Sequence, residues 1–277
     1  MIEEYLTQLR KILVDHHYED VDNAISYMRE FAEDRKELGE SEESIIASFG
    51  DIHETASAIL GEEVKNADVS SHLKEINTEI ISADLSIIEA NVTDVEVNYT
   101  DEKRFTITDK DGVLTIKEKK QEHNFFFGFK KAKVDIQVPF GYALEKLHLE
   151  IVSGDITLQG IIADKLNLET VSGDNKIKEC KINHIDIDCV SGDIKVKKTE
   201  SEKIDIDAVS GDIHVKEASF NQLHGETVSG DIHVEVRDIR DNYTVKTDKM
   251  FHSKEYGTGV KLIQLESTVG DLNVDFK

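Results

Sequence analysis

Positive charge is scarce in this chain. Across 277 residues, 33 Lys and Arg face 57 Asp and Glu, a formal net charge of −24. So acidic a surface excludes a general nucleic-acid binder, whose affinity rests on neutralising phosphates. Long apolar runs are missing too, and none approaches the ~20 residues that span a bilayer. No basic stretch followed by an apolar segment opens the sequence, and the closing VGDLNVDFK has no anchoring tail. These absences point to a cytoplasmic protein, membrane-peripheral at most. Cysteine occurs twice, at Cys180 and Cys189, without the C-x-x-C spacing of a metal or redox site, so reduced structural thiols are expected. Proline occurs once, at Pro139, where a strand pattern gives way to a turn.

Catalytic signatures are equally absent. The eleven histidines are scattered, and no H-E-x-x-H, G-x-S-x-G, phosphate loop or dinucleotide fingerprint appears. No enzyme activity, cofactor, resident metal or small-molecule substrate is expected.

What the sequence does have is repetition. Between Leu147 and Asp241 a 19-residue unit recurs five times: LHLEIVSGDITLQGIIADK, LNLETVSGDNKIKECKINH, IDIDCVSGDIKVKKTESEK, IDIDAVSGDIHVKEASFNQ and LHGETVSGDIHVEVRDIRD. Self-similarity at fixed period implies one unit stacked on copies of itself. In the first copy Leu147, Leu149 and Ile151 alternate with His148 and Glu150, a strand with one buried face. Val152-Ser153-Gly154-Asp155 supplies the backbone of a tight corner. A second short strand places Ile156 and Leu158 inward and Thr157 outward, and Gln159 to Lys165 close the coil.

The unit is too short for a βαβ crossover plus two strands. The expected fold is therefore mainly β: a parallel β-solenoid (β-helix-like) of about 19-residue coils, preceded by a small all-α helical domain. Neighbouring coils would lie about 4.8 Å apart and wind right-handed. An antiparallel sandwich of hairpins is the alternative. Two inward columns are expected, one of Leu147, Leu166, Ile185, Ile204 and Leu223, the other of Val152, Val171, Val190, Val209 and Val228.

The outward columns carry charge. Glu150, Glu169, Asp188, Asp207 and Glu226 form one acidic ladder, and Asp155, Asp174, Asp193, Asp212 and Asp231 form another at the corner. The second strand shows Thr157, Lys176, Lys195, His214 and His233, with Lys178, Lys197 and Lys216 two residues on. Charges stacked this closely repel by roughly 1 kcal/mol in bulk water. Relief can come from water, salt, lysines and turn N–H groups donating to the corner aspartates. The alternative is a divalent cation such as calcium along the corner, although calcium-binding β-roll repeats are glycine-rich and this unit has one regular glycine. Uniform ladders supply no carboxyl pair in contrasting environments, which acid–base catalysis needs.

Residues 1–64 differ in kind. Ile2, Tyr5, Leu6, Leu9, Ile12 and Leu13 recur at helical spacing. A second helix is expected from about Glu19 to Leu38, with Val21, Ala24, Ile25, Met28, Phe31 and Ala32 on one face and Gly39 as its stop. Ser41 should cap a short helix holding Ile45, Ile46 and Phe49, and Asp51 with Glu54 should open a last one. This segment has 17 acidic and 5 basic residues, a net charge of −12 and half that of the whole chain. LTQLRKIL, the acidic middle helix and SEESIIASFGDIHETASAIL resemble the helical signalling-associated domain abbreviated HAAS, found mainly in Gram-positive bacteria. Its motif usually ends Gly-Asp-Pro, where this chain has Ile52. The resemblance implies docking of a regulator. The same helices could instead cap the solenoid or dimerise.

Residues 65–75 (KNADVSSHLKE) read as a linker. Irregular strands follow at Ile76–Ile81, Asp94–Tyr99 and Phe105–Lys117, the last a hairpin turning at Asp109–Gly112. A Ser82-Ala83-Asp84-Leu85 corner echoes the repeats. Gly259 to Asp271 recovers the repeat pattern, and the distance from Asp231 to Asp271 suggests two coils with a small insertion. In KEKKQEHNFFFGFKKAK, Phe125, Phe126, Phe127 and Phe129 lie between lysines that include Lys130 and Lys131. Such a loop suits an anionic membrane surface or a protein partner, or an apolar plug over the solenoid's open end.

GVLTIKEK, VDIQVPFGYALEKLHLE, the serial SGDI corners and GVKLIQLESTVGDLNV resemble the bacterial putative-adhesin β-strand repeat family. The match spans residues 76–277. It implies a non-catalytic scaffold or sensor, with links to Gram-positive cell-envelope stress signalling, presenting a charged repeat surface to partners. The alternative is a surface adhesin binding a polymer or host partner.

Overall fold

The alternating apolar pattern becomes strand in the computed structural model, which describes residues 1–15, 18, 20–52, 55, 56, 59, 64–67, 69, 72–100, 104–119, 132–249 and 252–277. One compact unit contains Met1–Lys65, and a second contains Asn66–Asn98, Phe105–Glu118 and Lys133–Lys277.

In the first unit the apolar spacing produces, among the described residues, the helices α1 (Ile2–Asp15), α2 (Val21–Glu37) and α3 (Glu42–Phe49). Gly39, at φ 87°, ends the second. Ser41 caps the third, its hydroxyl accepting from the Ser44 N–H at 3.2 Å. Leu6, Leu9, Leu13, Met28, Ile45 and Phe49 are buried together. The Tyr5 hydroxyl lies 2.7 Å from Thr55 Oγ1. Of the last expected start, Glu54 lies outside the described residues.

The second unit is mainly β, twenty strands of the described residues joined in one network of mostly parallel pairs. Ala143–Ser153, Ile162–Ser172, Lys181–Ser191, Lys203–Ser210 and Gln222–Ser229 stack as long strands. Ile156–Gln159, Asn175–Lys178, Ile194–Lys197, Ile213–Ala218 and Ile232–Val236 stack as short ones. The strand Glu75–Ala90 joins both ladders, pairing with Ala143–Ser153 before its Ser82–Asp84 corner and with Ile156–Gln159 after it. Leu147, Leu166, Ile185, Ile204 and Leu223 form the expected inward column, each at most 2% exposed. Burying each such side chain contributes about 1.5–3 kcal/mol. These pairings are parallel, so the antiparallel sandwich does not apply.

Both ends of the long ladder finish in an antiparallel hairpin. At one end Phe105–Lys110 pairs with Val113–Glu118, turning through Asp111 and Gly112 at positive φ, and Val113–Glu118 joins Glu75–Ala90. At the other, Tyr243–Lys249 pairs with His252–Tyr256 and with Lys261–Val269.

Two expectations are corrected. Val152, Val171, Val190, Val209 and Val228 do not point inward: they are 47–50% exposed. With Ile151 inward, strand parity turns the next residue out. The stretch from Asp231 to Asp271 forms one coil, because Gln222–Ser229 pairs directly with Lys261–Val269. The intervening chain builds the terminal hairpin, where Tyr243 packs against Phe220 and Phe276 at centroid distances of 5.8 and 5.6 Å.

Glycine is required at the corner by close approach. A β-carbon on Gly192 would sit 2.1 Å from the Gly173 carbonyl oxygen, and Gly173, Gly211, Gly230 and Gly270 meet similar distances. Their φ values, with Gly192's, run from 130° to 152°. The far turn tolerates side chains instead. Glu179, Lys198 and Glu217 take φ of 52–57° where the first coil has Gly160. Their side chains stand in ion pairs such as Lys198–Glu179 and Arg237–Glu217.

One inward position breaks the apolar column. Asn175 occupies the site of Ile156 and Ile194 and is fully buried. Its amide nitrogen donates to Thr170 Oγ1 at 3.0 Å, while Oδ1 has no partner.

Gly192→Ala should cost about 4 kcal/mol or more, or abolish folding, because backbone rather than a movable side chain blocks the new methyl. Gly141→Ala, at φ 72° with nothing within 4 Å, should cost only about 1–2 kcal/mol. Urea unfolding of the two variants checks the contrast. Asn175→Ile should raise stability by about 1 kcal/mol by removing an unpaired buried carbonyl, read from the urea midpoint.

Candidate functional site

The corner aspartates form a hydrogen-bonded chain along the stack. Asp155 N–H donates to Asp84 Oδ1 at 2.8 Å, and Asp174, Asp193, Asp212, Asp231 and Asp271 each donate to the aspartate one coil earlier at 3.0, 3.1, 3.2, 2.9 and 2.7 Å. The glycine and isoleucine on either side bond the opposite way. Gly173 N–H donates to the Ser191 carbonyl at 3.1 Å, and Ile194 N–H to the Asp212 carbonyl at 2.9 Å. Each carboxylate thus spends one oxygen on a backbone N–H that would otherwise be unpaired at the bend. Asp193 spends the other on Lys195 Nζ at 3.0 Å. The lysine and the Asp212 N–H together hold the Asp193 carboxyl below its usual range. This accounts for how so many carboxylates share one edge, and it leaves less oxygen for a cation than the sequence column suggests.

The two outer faces differ in charge. On the long strands, Glu150, Glu169, Asp188, Asp207 and Glu226 lie in register. Two residues earlier run His148, Asn167, Asp186, Asp205 and His224, and two residues later the exposed valines. Desolvation, followed by repulsion from Asp188 and Asp205, raises the Asp186 carboxyl above its ordinary value. Lys203 Nζ answers Asp205 at 2.5 Å. A shallow depression on this face is lined by Lys203, Asp205, Gln222, His224 and Gln264.

On the short strands, Thr157, Lys176, Lys195, His214 and His233 line up as one column. Lys178, Lys197 and Lys216 line up two residues on, followed by Glu235. The His214 and His233 rings stand 6.3 Å apart, edge to face. Desolvation lowers the His214 pKa, and Lys216 adds to the shift. The structure therefore assembles the charged columns read from the sequence and adds an exposed valine stripe where the sequence suggests core.

The remaining sequence candidates, Phe125, Phe126, Phe127, Phe129, Lys130 and Lys131, lie outside the described residues. Cys180 and Cys189 are free and buried, and burial pushes the Cys180 thiol up to about 11, which makes it unreactive. No helix among the described residues is long and apolar enough to cross a membrane.

The sequence model of a family described as Toastrack DUF4097 matches residues 73–277. No curated protein matches the chain. Among solved structures it is similar to a Bacteroides fragilis protein called a "putative adhesin", at 16% identity over 76% of this chain and 96% of that one, TM-score 0.46. It is also similar to a Clostridium sporogenes "putative cell adhesion protein", at 14% identity over 78% and 100% of the two chains, TM-score 0.38. A Parabacteroides distasonis "putative lipid binding protein" is similar at 13% identity over 76% and 96%, TM-score 0.45.

The opposite displacements of Asp186 and Asp193 have opposite signs in stability. A raised folded pKa means that ionising Asp186 opposes folding, so its cost is present at neutral pH and vanishes once the group is protonated. A lowered one means that Asp193 stabilises above its unfolded value near 3.8, an effect lost as pH falls through its folded value. Asp186→Asn should therefore raise the urea midpoint at pH 7, and Asp193→Asn should lower it. Both differences should shrink towards zero well below pH 3.8, which paired denaturation series across pH will check.

Proposed function

We propose a non-catalytic binding role, taking as premise that the chain belongs to the Toastrack DUF4097 family. The observation that carries it is the pair of short basic columns, Lys176 with Lys195 and Lys178 with Lys197, held in register on the neighbouring strands Asn175–Lys178 and Ile194–Lys197. A stack of near-identical coils offers an extended surface, and surfaces of one charge select partners by complementarity. The occupant of this reading is a protein with an acidic docking face. The coil, 19 residues from one corner aspartate to the next, is the unit of that surface, and two successive coils each carry a lysine pair, Lys176 with Lys178 and Lys195 with Lys197.

The helical head is assigned to docking a regulator, on its resemblance to HAAS-type domains, and the whole chain to a scaffold or sensor in Gram-positive envelope-stress signalling. The Phe125–Phe129 loop with Lys130 and Lys131 is the proposed second contact, to a partner or an anionic membrane. A cytoplasmic location goes with this reading. Exposure on the cell surface goes with the alternative, an adhesin holding a polymer or host partner.

The test is in-cell cross-linking of the full chain, beside a variant carrying Lys176→Glu, Lys178→Glu and Lys197→Glu. Lys195 is spared because it bonds Asp193. Exposed lysines contribute about 0–1 kcal/mol to stability, so the variant should fold, with far-UV circular dichroism as the control. The expected result is one dominant cross-linked protein that disappears in the variant, with the wild-type chain protected from protease on intact cells. Retention of that partner by the variant would refute the basic-column reading. Protease accessibility on intact cells would favour the adhesin.

A further inference from the structure

On the outer face of the long ladder, His148 and Glu150 lie two residues apart on Ala143–Ser153 and so point to the same side. Their register neighbours on Ile162–Ser172 are Asn167 and Glu169. These four side chains make a square across two coils. His148 Nε2 lies 2.9 Å from Glu150 Oε1. Among the described residues, His148, Glu150 and Glu169 bring one ring nitrogen and two carboxylate oxygens within 4.8 Å of one another.

Two features of this square point to a missing partner. The first is charge. Like charges directly opposite on paired strands destabilise, and at two other places on the face a lysine answers them: Lys117 meets Glu79 and Lys203 meets Asp205, each at 2.5 Å. Among the described residues no lysine or arginine lies within 4.0 Å of Glu150 or Glu169; the side chain beside Glu150 is the His148 imidazole. The second is unmet hydrogen bonding. His148 Nδ1 and Asn167 Oδ1, side by side in register, are both shielded from solvent and both without a partner.

We propose that His148, Glu150 and Glu169 form a surface site for a divalent transition-metal ion of the zinc type. The donor set selects it: imidazole with carboxylates suits zinc-like ions, whereas calcium and magnesium take oxygen ligands in larger number. Tetrahedral zinc with bonds near 2.1 Å needs ligand atoms about 3.4 Å apart. His148 and Glu150 are already near that separation, and Glu169 reaches it by side-chain rotation. The ion neutralises the facing glutamates. Coordination through Nε2 places the ring proton on Nδ1, where Asn167 Oδ1 becomes its acceptor, so that both unmet groups are used. Three protein ligands leave a fourth position open to water or to a partner's side chain. This site stands independently of the basic-column partner.

The experiment is zinc titration of the full chain by calorimetry in excess magnesium, with side-chain 15N spectra of the histidines. The expected result is one zinc bound at the His148 ring, with His148→Ala and Glu169→Gln each weakening it by about tenfold or more and Asn167→Ala by about tenfold. His224 stands beside Glu226 and Glu266 in a similar register but 3.9 Å from Glu266, and His224→Ala should leave zinc affinity unchanged. Melting curves in chelator serve as the folding control. Zinc affinity unaltered in His148→Ala, or lowered equally in His224→Ala, would overturn the assignment, as would zinc leaving the His148 ring signals unmoved.

Discussion

At each Ser-Gly-Asp corner, successive backbones approach too closely for a β-carbon to fit between them, and the repeat unit is organised around that approach. Glycine alone admits the contact. Once the backbones are that close, the aspartate behind each glycine can reach the next coil's N–H, and the residues on either side bond the opposite way. The corner is therefore laced in both directions, and the parallel ladders run on through the bend rather than ending at it. The inward Leu, Ile and Val columns follow, because register fixed at the corner stacks each apolar side chain on its equivalent.

The same register that builds the core multiplies every outward choice. A lysine repeated becomes a basic column, a glutamate an acidic one, and a valine one residue past the core a stripe of half-exposed apolar surface. Repulsion along these columns is met locally and differently. At the corner backbone N–H groups absorb it, beside Asp205 a lysine does, and at Asp186 it adds to desolvation in lifting the carboxyl. Glu150 and Glu169 have neither device. That is where a metal ion is assigned.

Much of this is legible in the sequence because the period makes it redundant. One copy of LHLEIVSGDITL is ambiguous; five copies locate the corner, the inner face and the charged columns, and the helix faces of the N-terminal head follow from spacing alone. The departures have specific causes. Apolarity suggests an inward place for the valines, although the alternation of Leu147, Leu149 and Ile151 already turns Val152 out. The C-terminal stretch after Asp231 reads as two coils because the distance from Asp231 to Asp271 is close to twice the period, and only pairing shows that Tyr243–Lys249 lies beyond Lys261–Val269. The left-handed turn at Glu179, Lys198 and Glu217 lacks the glycine that would announce it. The His148 square depends on which residue faces which across two coils, and a column-by-column reading keeps His148 and Glu169 apart.

Amide hydrogen exchange at the corner tests the account most directly. If the aspartate chain holds the coils together, the N–H groups of Asp174, Asp193 and Asp212 should exchange as slowly as those of the core residues Ile187 and Ile206. Exchange of those three amides at the rate of an open loop, with the core strands still protected, would contradict it.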